Sequence, residues 1–239
     1  MMNRERLTSG LEMMGVAFDQ TAIERFEAFH AILDEYNQKM DLTAVLDEDE
    51  RIDRHDLDSA APLAKGLLLP DSKVIDVGTG AGFPGMPLLI LRPDLKMTFL
   101  DALNKRILFL EDALRRLGLK AETLHARAED AARMPAHREM YDAAVSRAVA
   151  SAAVLQELTL PFVRTGGAAI AWKGPGVQDE MTAARRAAFV LGGTVRGVYP
   201  APVPRRDDWA HCLLVTDKTG KTPKAYPRKA GTPNKKPLA

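Results

Sequence analysis

Residues 74–85 read Val-Ile-Asp-Val-Gly-Thr-Gly-Ala-Gly-Phe-Pro-Gly, an apolar run that leads into closely spaced glycines. A short apolar run of this kind predicts a buried strand, and glycine lets the backbone turn tightly and approach a ligand. Proline is tolerated in the first turn of a helix, so residues 84–91 are predicted to be helical. The segment therefore predicts a strand, a glycine loop and a helix whose free amides suit an anionic or polar ligand.

Strands and helices alternate after this segment. The pattern predicts strands at 74–77, 97–100, 121–125, 141–146, 168–172, 195–199 and 212–216, and helices at 84–91, 105–117, 154–162 and 179–191. Such alternation is typical of the α/β class and predicts a doubly wound, mostly parallel sheet of seven strands, with an antiparallel hairpin closing one edge. Ligands of such sheets bind outside the carboxyl ends of the strands.

Three regions are predicted along the chain. Residues 1–70 have helical periodicity and form an N-terminal helical extension, which ends at the turn signal of residues 70–72. Residues 71–217 form the cofactor-binding region. Residues 218–239 form a basic C-terminal tail without acids, whose cationic residues are Lys218, Lys221, Lys224, Arg228, Lys229, Lys235 and Lys236. Basic terminal tracts often bind nucleic acid, and a solvated, disordered tail is the alternative.

Composition and charge limit the class of the protein. The chain has 239 residues, of which 46% are hydrophobic and 27% charged, with a formal net charge of +1, as is typical of soluble globular proteins. The single cysteine, Cys212, excludes an intramolecular disulfide. The sequence contains no signal-peptide core and no candidate membrane span, so we expect a cytoplasmic protein. We also predict a monomer without a metal site.

Two cofactor patterns overlap in the glycine loop. Residues 80–85 fit G-x-G-x-x-G, the dinucleotide fingerprint, and Asp101 lies at about the expected distance downstream. Counted from Asp76, the segment is instead an acid followed by alternating glycines, which resembles the first motif of class I S-adenosylmethionine-dependent methyltransferases. A carboxylate inside a buried strand needs a dedicated partner, and the zwitterionic methionine moiety supplies one. A pyrophosphate would be repelled by that acid, so Asp76 favours the second pattern.

Three alternatives stay open from the residues alone. The G-x-G-x-x-G pattern is compatible with an NAD-dependent oxidoreductase, although no convincing hydride-transfer site accompanies it. A noncatalytic RNA-binding protein with a methyltransferase-like fold would have the same loop. A glycine-rich turn that binds no ligand is also compatible with the pattern.

Polar residues also follow the later predicted strands. Arg147 comes after the fourth strand and Lys173 after the fifth. Either residue alone is compatible with a surface salt bridge or a solvated loop, but together they point to the same binding edge of the sheet. We therefore take Arg147 and Lys173 as positioning candidates, with His55 as a weaker one, and assign no general acid, base or nucleophile.

Several segments resemble one family over nearly the whole chain, the bacterial 16S ribosomal RNA methyltransferase G family, also called glucose-inhibited division protein B. The segments that carry the resemblance are residues 37–45, 54–59, the glycine loop with Phe83-Pro84-Gly85, residues 100–106, 125–129, 146–150 and the tail 226–238. The chain departs from the family at Asp41, where Asn is usual, and at Ala102, where Ser is frequent. The resemblance implies a class I methyltransferase-like Rossmann fold with the helical extension.

The resemblance also implies a function, which is methylation of guanine N7 in 16S ribosomal RNA of the small ribosomal subunit, with S-adenosylmethionine as donor. Combined with the loop pattern, it gives the predicted cofactor-binding residues Asp76, Gly78, Gly80, Gly82, Phe83, Asp101, Ala102, Leu103, Ala128, Glu129 and Arg147. Guanine N7 has a lone pair and no proton, so the reaction depends mainly on proximity and orientation.

Basic residues supply the predicted RNA contacts. The predicted RNA-binding residues are Arg54, Lys105, Arg106, Arg228, Lys229, Lys235 and Lys236. Because the charges of the tail are expected to lie outside the sheet, we predict that removing residues 218–239 weakens RNA association and leaves donor binding intact.

Overall fold

The computed structural model describes residues 2–238, and within this range the sheet has seven strands in the order β3-β2-β1-β4-β5-β7-β6. Strands β1 to β5 pair in parallel, and β7 runs antiparallel to both β5 and β6. The strands are β1 (Lys73–Val77), β2 (Lys96–Asp101), β3 (Glu122–His125), β4 (Tyr141–Arg147), β5 (Val163–Lys173), β6 (Gly193–Pro200) and β7 (Cys212–Lys218). This topology confirms the predicted fold class.

Helices cover both faces of the sheet and form the N-terminal region. They are α1 (Arg4–Met13), α2 (Gln20–Asn37), α3 (Glu48–Arg51), α4 (Ala61–Ala64), α5 (Gly85–Leu91), α6 (Asn104–Leu117), α7 (Ala128–Ala131), α8 (Ala152–Thr159), α9 (Val177–Val190) and α10 (Thr232–Lys235), with a π-helical turn at Ile52–Leu57 and a 3-10 turn at Leu160–Phe162. Helix α6 ends as predicted at Gly118, whose φ of 62° is left-handed.

The alternation of side chains along β1 divides the core into two layers. Val74 packs on one face with the N-terminal helices, α5 and α6, whereas Ile75 and Val77 pack on the other with α8. Asp76 shares the face of Val74, because side chains two residues apart point to the same side of a strand. One acid of the sheet therefore lies beneath the glycine loop, among apolar residues.

The N-terminal region packs directly against the glycine loop. Phe29 of α2 contacts Phe83 of the loop edge to face, with ring centroids 5.6 Å apart, and also contacts Phe109 of α6 at 6.3 Å. Buried aromatic pairs in this geometry stabilise by about 0.5–1.5 kcal/mol beyond their burial. The predicted boundary at residue 70 stays a prediction, since one hydrophobic core includes residues from both sides of it.

The C-terminal residues are packed against the sheet and its helices. Lys218 is the last residue of β7 and is fully buried, with its Nζ donating to the Leu160 carbonyl at 2.8 Å. The expectation that all charges of the tail lie outside the sheet is therefore wrong for Lys218. Tyr226 and Leu238 pack against the apolar layer that contains α8. This packing gives the tail a place in the core that its composition did not predict.

Within residues 2–238, no helix combines the length and the apolar character that a membrane span requires.

Candidate active site

A cavity of about 820 Å³ opens at the carboxyl ends of the parallel strands, where the strand order reverses between β1 and β4. Its walls include the predicted residues Gly78, Gly80, Phe83, Asp101, Ala102, Leu103, Ala128, Glu129, Arg147, Lys173, His55, Arg54 and Arg106. The volume lies within the range of small-molecule sites in proteins, about 300–1,000 Å³. The location is the one expected for a ligand of a doubly wound sheet.

The cavity has two chemically different sides. The acidic side consists of Gly78, Gly80, Asp101, Ala128 and Glu129, and the basic side consists of Arg54, His55, Arg147, Lys173 and His211.

The glycine loop forms the floor of the acidic side. Gly80 has a φ of +59°, and a Cβ built on it would meet nothing within 4 Å, so the loop leaves open space where a side chain would project. Its N–H donates to Asp101 Oδ2 at 2.9 Å. The left-handed backbone disfavours other residues, and the missing side chain keeps the cavity wall open to a ligand.

Asp76 lies beneath the loop and does not line the cavity. It is fully buried, and its Oδ2 accepts hydrogen bonds from Thr79 Oγ1 at 2.7 Å and from the Gly85 N–H at 3.0 Å. Burial raises the pKa of the Asp76 carboxyl to about 6, against the opposing effect of these two hydrogen bonds. These contacts hold the loop to α5, whereas Asp76 Oδ1 is buried without a hydrogen-bond partner, and the predicted contact of Asp76 with the cofactor stays a prediction.

Gly82 is also absent from the cavity wall. A Cβ at this position would lie 2.6 Å from Met86 Cγ and 2.9 Å from Leu110 Cδ2, both of which belong to the helices behind the loop. Close packing against the helices explains this glycine, and its predicted contact with the cofactor stays a prediction.

Asp101 is held rigidly at the end of β2. Its Oδ1 accepts from the Leu103 N–H at 2.8 Å, its Oδ2 accepts from Gly80, and Arg106 Nη1 lies 3.3 Å from Oδ2. The residue is 4% exposed. An ionised carboxylate has about four lone-pair positions, so these contacts leave acceptor capacity for a ligand hydroxyl.

Glu129 forms the opposite end of the acidic side. The residue is buried at the start of α7, and its Oε1 accepts a hydrogen bond from the Gly231 N–H at 2.8 Å. Asn234, three residues further along the chain, also lines the cavity. The C-terminal residues therefore contribute to the wall next to Ala128 and Glu129.

Arg147 organises the basic side. Its Nη1 donates to Asp58 Oδ2 at 2.8 Å and to the Arg54 carbonyl at 2.7 Å. Asp58 is 3% exposed and also accepts from His211 Nδ1 at 3.0 Å, while its backbone carbonyl accepts from Trp172 Nε1. A single buried acid thus joins the N-terminal region, β4, β5 and the loop before β7 at the cavity.

His55 stacks on Phe83, with ring centroids 4.3 Å apart, and Arg147 lies over the same ring at 5.5 Å. Burial, followed by the positive charge of Arg147, lowers the pKa of His55 to about 3. The ring is therefore neutral near pH 7. Its Nε2 lies 2.9 Å from Thr43 Oγ1 and its Nδ1 lies 3.4 Å from Arg147 Nη2. These contacts orient His55 and leave its ring stacked on the loop.

Asn37 shapes the segment that carries Thr43. Its Oδ1 accepts from the backbone N–H groups of Leu42 and Thr43 at 2.8 and 3.0 Å, and its Nδ2 donates to the Thr43 carbonyl at 3.0 Å. Asp41, the residue that departs from the family pattern, is exposed beside this turn.

Lys173 lines the cavity but is already paired. Its Nζ lies 2.9 Å from Glu180 Oε1 of α9 and 3.4 Å from the Ala150 carbonyl. The ammonium group therefore connects β5 to α9. The positioning role of Lys173 stays a prediction, and Glu180 partly neutralises its charge.

A cationic and aromatic cluster borders the basic side. The guanidinium carbon of Arg54 lies 4.5 Å from the ring centre of Trp209, and that of Arg206 lies 3.9 Å from it. His211 stacks on Trp209 at 5.1 Å. This cluster joins the loop before β7 to the N-terminal region and holds Arg54 at the edge of the cavity.

The remaining predicted RNA contacts differ in their availability. Lys105, Lys229, Lys235 and Lys236 are exposed. Arg228 is different, since its Nη2 lies 2.6 Å from Oε2 of Glu157, which is 1% exposed. Its charge neutralises a buried acid, and the predicted RNA contact of Arg228 stays a prediction.

Sequence reasoning missed several residues of the site. Asp58, Trp172, Trp209, His211 and Asn234 lie in or beside the cavity, and none was predicted to belong to it. Each comes from a segment far from the glycine loop in the chain. A signal existed for Asp58 and for Asn234, since residues 54–59 and 226–238 are among the segments that resemble the family.

Comparison with known proteins places this chain in a family. The family model for rRNA small subunit methyltransferase G (GidB) matches residues 22–202. A protein named ribosomal RNA small subunit methyltransferase G from Alkaliphilus metalliredigens is 44% identical over 233 residues, which cover 97% of each chain. The protein of the same name from Leuconostoc citreum is 43% identical over 241 residues and covers 100% of both chains. The chain belongs to the rRNA small subunit methyltransferase G family. This result confirms the resemblance.

Solved structures of low sequence identity share the fold of this family member. A TehB-like SAM-dependent methyltransferase from Corynebacterium glutamicum aligns with a TM-score of 0.51 at 16% identity, covering 80% of this chain and 100% of its own. The [4+2]-cyclase SpnF aligns with a TM-score of 0.56 at 12% identity, covering 86% and 98%. Since a methyltransferase and a cyclase both match, these similarities establish the fold only. The chemistry has to be inferred from the residues of the site.

Proposed function

We propose that this chain transfers a methyl group from S-adenosylmethionine to N7 of a guanine in 16S ribosomal RNA of the small ribosomal subunit. The observation that carries the proposal is the cavity with an acidic side and a basic side, found in a member of this family. The acidic side suits a nucleoside that offers hydroxyl groups. The basic side suits a nucleotide that carries phosphate.

The residues that form the acidic side are suited to bind S-adenosylmethionine. The open wall at Gly80 gives the donor room to approach the backbone, and Asp101 has acceptor capacity for ribose hydroxyls. Glu129 and Ala128 lie on the wall beside it. We assign the nucleoside half of the donor to these residues, with Gly78, Ala102 and Leu103 as further neighbours.

The chemistry requires orientation and charge control from this chain. S-adenosylmethionine supplies a methyl group bound to a positively charged sulfur, which is an electrophile. Guanine N7 carries a lone pair and no proton, so no general base is required. His55, with its pKa near 3, is a neutral surface stacked on Phe83 and is not a proton carrier at neutral pH. The site acts by proximity and by exclusion of water.

Arg147 is the leading candidate for positioning the guanine. Its guanidinium is fixed by Asp58 and the Arg54 carbonyl, and the plane of Phe83 lies below it. A guanidinium can only donate hydrogen bonds, so it suits acceptors such as guanine O6 or a phosphate oxygen. Arg54, Arg106, Lys105, Lys229, Lys235 and Lys236 are assigned to the RNA backbone.

Methyl transfer to ribosomal subunits tests this proposal. The purified chain is incubated with donor labelled in its methyl group and with small subunits from cells that lack the gene or carry it. We expect one labelled guanine, at N7, in 16S RNA from the cells lacking the gene, and no label in subunits from the other cells. Mapping the modified position by mass spectrometry of RNA fragments identifies the base.

Two results would support other functions. Saturable binding of NADH without binding of S-adenosylhomocysteine would favour an oxidoreductase. Binding of S-adenosylhomocysteine and of RNA without methyl transfer would favour a noncatalytic RNA-binding protein of the same fold.

A further inference from the structure

Residues 219–238, here named the C-terminal strap, run from the end of β7 to the edge of the cavity. The strap begins after buried Lys218 and passes α8 before Asn234 reaches the cavity wall. The wall beside Glu129 is therefore built from two segments about one hundred residues apart in sequence, as the Gly231–Glu129 hydrogen bond demonstrates.

A buried ion pair fastens the middle of the strap. Glu157 of α8 accepts from the Arg228 backbone N–H at 2.7 Å and from Arg228 Nη2 at 2.6 Å. A carboxylate that is 1% exposed requires a cation and hydrogen bonds to be tolerated in the core. Loss of this contact would leave the buried Glu157 carboxylate unpaired. The ion pair therefore stabilises the packing of α8 as well as the position of the strap.

Two arginines outside the strap bind its backbone. Arg138 donates to the carbonyls of Tyr226 and Thr222, each at 2.9 Å, and Arg133 donates to the carbonyls of Ala225 and Pro227. Guanidinium groups supply several donors in fixed directions, which orients the peptide groups that they contact. These contacts set the path of the strap before it reaches the cavity.

The end of the strap is held at the acidic side. The Gly231 N–H donates to Glu129 Oε1 at 2.8 Å, and Asn234 follows within one turn. Asn234 is exposed and lines the cavity, so its amide is available to a ligand. An amide offers both donors and acceptors, which matches the purine edge and the hydroxyl groups of a nucleoside.

We propose that the C-terminal strap is a wall of the donor site and that Asn234 is a positioning residue for the nucleoside half of S-adenosylmethionine. The inference rests on the proposed function, because it assigns the acidic side to the donor. It replaces the expectation that removing residues 218–239 leaves donor binding intact. Donor affinity depends on the strap through Asn234 directly and through Glu129.

Calorimetric titration with S-adenosylhomocysteine tests this inference on the full chain and three variants. Asn234→Ala removes the amide and is expected to weaken binding about fivefold, the effect of one hydrogen bond. Arg228→Met loosens the strap and is expected to weaken binding at least about tenfold. Lys224→Ala, an exposed residue of the same strap, is the control and is expected to bind as the parent does.

Steady-state kinetics and salt dependence separate this role from RNA binding. Asn234→Ala is expected to raise KM for the donor with little change in kcat, as removal of a binding contact does. The loss of affinity for S-adenosylhomocysteine is expected to be the same at low and high salt, since no phosphate contact is removed. Thermal unfolding of Asn234→Ala is expected to match the parent, because the side chain is exposed.

The outcomes are distinguishable. If the parent binds S-adenosylhomocysteine and Asn234→Ala binds it equally tightly, the strap is not part of the donor site and the proposed function stands. If the parent does not bind S-adenosylhomocysteine, the proposed function fails and this inference fails with it. If Arg228→Met does not fold, Asn234→Ala alone decides the question.

Discussion

The acidic and basic sides of the cavity are built in different ways. The acidic side is centred on Gly80, in the loop after β1, and on Asp101, the last residue of the neighbouring strand β2, and the two residues are hydrogen-bonded to each other directly. The basic side surrounds Asp58, which accepts hydrogen bonds from Arg147 at the end of β4 and from His211 in the loop before β7. The first depends on local backbone conformation and parallel pairing. The second depends on one buried acid that several elements share.

The largest expected effect comes from breaking the basic side at Arg147. Arg147→Ala leaves the buried Asp58 without its arginine, and loss of one partner of a buried pair costs about 3 kcal/mol. We expect this loss in the free energy of unfolding, and at least about a hundredfold loss in the rate of methyl transfer. Urea unfolding and single-turnover assays measure the two effects.

Arg164→Ala is the matched control for Arg147. Arg164 also pairs with an aspartate, Asp142, but its side chain is 53% exposed and lies at the start of β5, the end of that strand far from the cavity. An exposed pair contributes about 0–1 kcal/mol, so both measurements are expected to stay near the parent. Equal losses in the two variants would contradict the central role of Asp58.

The next effect comes from the acidic side at Asp101. Asp101→Asn replaces one carboxylate oxygen by an NH₂ group, so the backbone N–H of either Gly80 or Leu103 loses its charged acceptor. We expect about thirtyfold weaker binding of S-adenosylhomocysteine, since hydrogen bonds to charged groups contribute about 1.5–3 kcal/mol. Asp94→Asn, at a partly exposed acid paired with Arg92, is the control. Unchanged affinity in Asp101→Asn would remove Asp101 from the donor site.

Two buried groups near the cavity, Asp76 beneath the glycine loop and His55 on the basic side, are expected to change stability with pH in opposite directions, and Asp76 lowers stability as pH rises. The pKa of Asp76 is about 6 in the folded chain, whereas the ordinary value of an aspartate is 3.8. Between these values the folded state binds a proton that the unfolded state does not, so this contribution to stability falls by about 1.4 kcal/mol per pH unit as pH rises. The stabilising contribution of Asp76 is fully present below about pH 3.8 and is lost as pH rises through 6. Asp76→Asn is expected to remove this slope from urea unfolding curves, and parallel curves for parent and variant would disprove the assignment.

His55 gives the opposite sign. Its pKa is about 3 in the folded chain and 6.5 as the ordinary value, so between these values only the unfolded state binds the proton. The contribution of His55 is present above pH 6.5 and is lost, by about 1.4 kcal/mol per pH unit, as pH falls through 3. His55→Gln is expected to be less sensitive to acid than the parent. A variant that unfolds with the same acid profile would show that His55 is not buried neutral.

The smallest effect is expected at Trp209. Its ring contacts the guanidinium groups of Arg54 and Arg206, and such contacts contribute about 0.5–1 kcal/mol each at exposed sites. Trp209→Leu is expected to raise KM for small subunits about threefold and to leave the affinity for S-adenosylhomocysteine unchanged. Phe189→Leu, at an aromatic residue of α9 that is 82% exposed, is the control. A change in donor affinity instead would place Trp209 with the acidic side.

The seven strands along the chain and the position of the glycine loop followed from the sequence, because both depend on patterns within short segments. Apolar runs separated by helical periods predicted the sheet, and Gly80 with Asp101 predicted the place of the cavity. The π-helical turn at Ile52–Leu57 was not predicted beyond a short helical segment, since its geometry is imposed by the elements that pack on it. Trp209 was missed for the same reason, since its contacts with Arg54 and His211 depend on how distant segments pack.

By itself the sequence determined the fold class, the family and the acidic side of the site, because glycine conformation, strand burial and the acid after β2 are local properties. Only the tertiary structure showed the surroundings of Asp76, Arg228 and Asn234. Asp76 turned out to be buried under the loop, Arg228 to neutralise Glu157, and Asn234 to reach the cavity. Whether a charge is exposed or paired depends on partners distant in sequence, and no pattern within one segment specifies them.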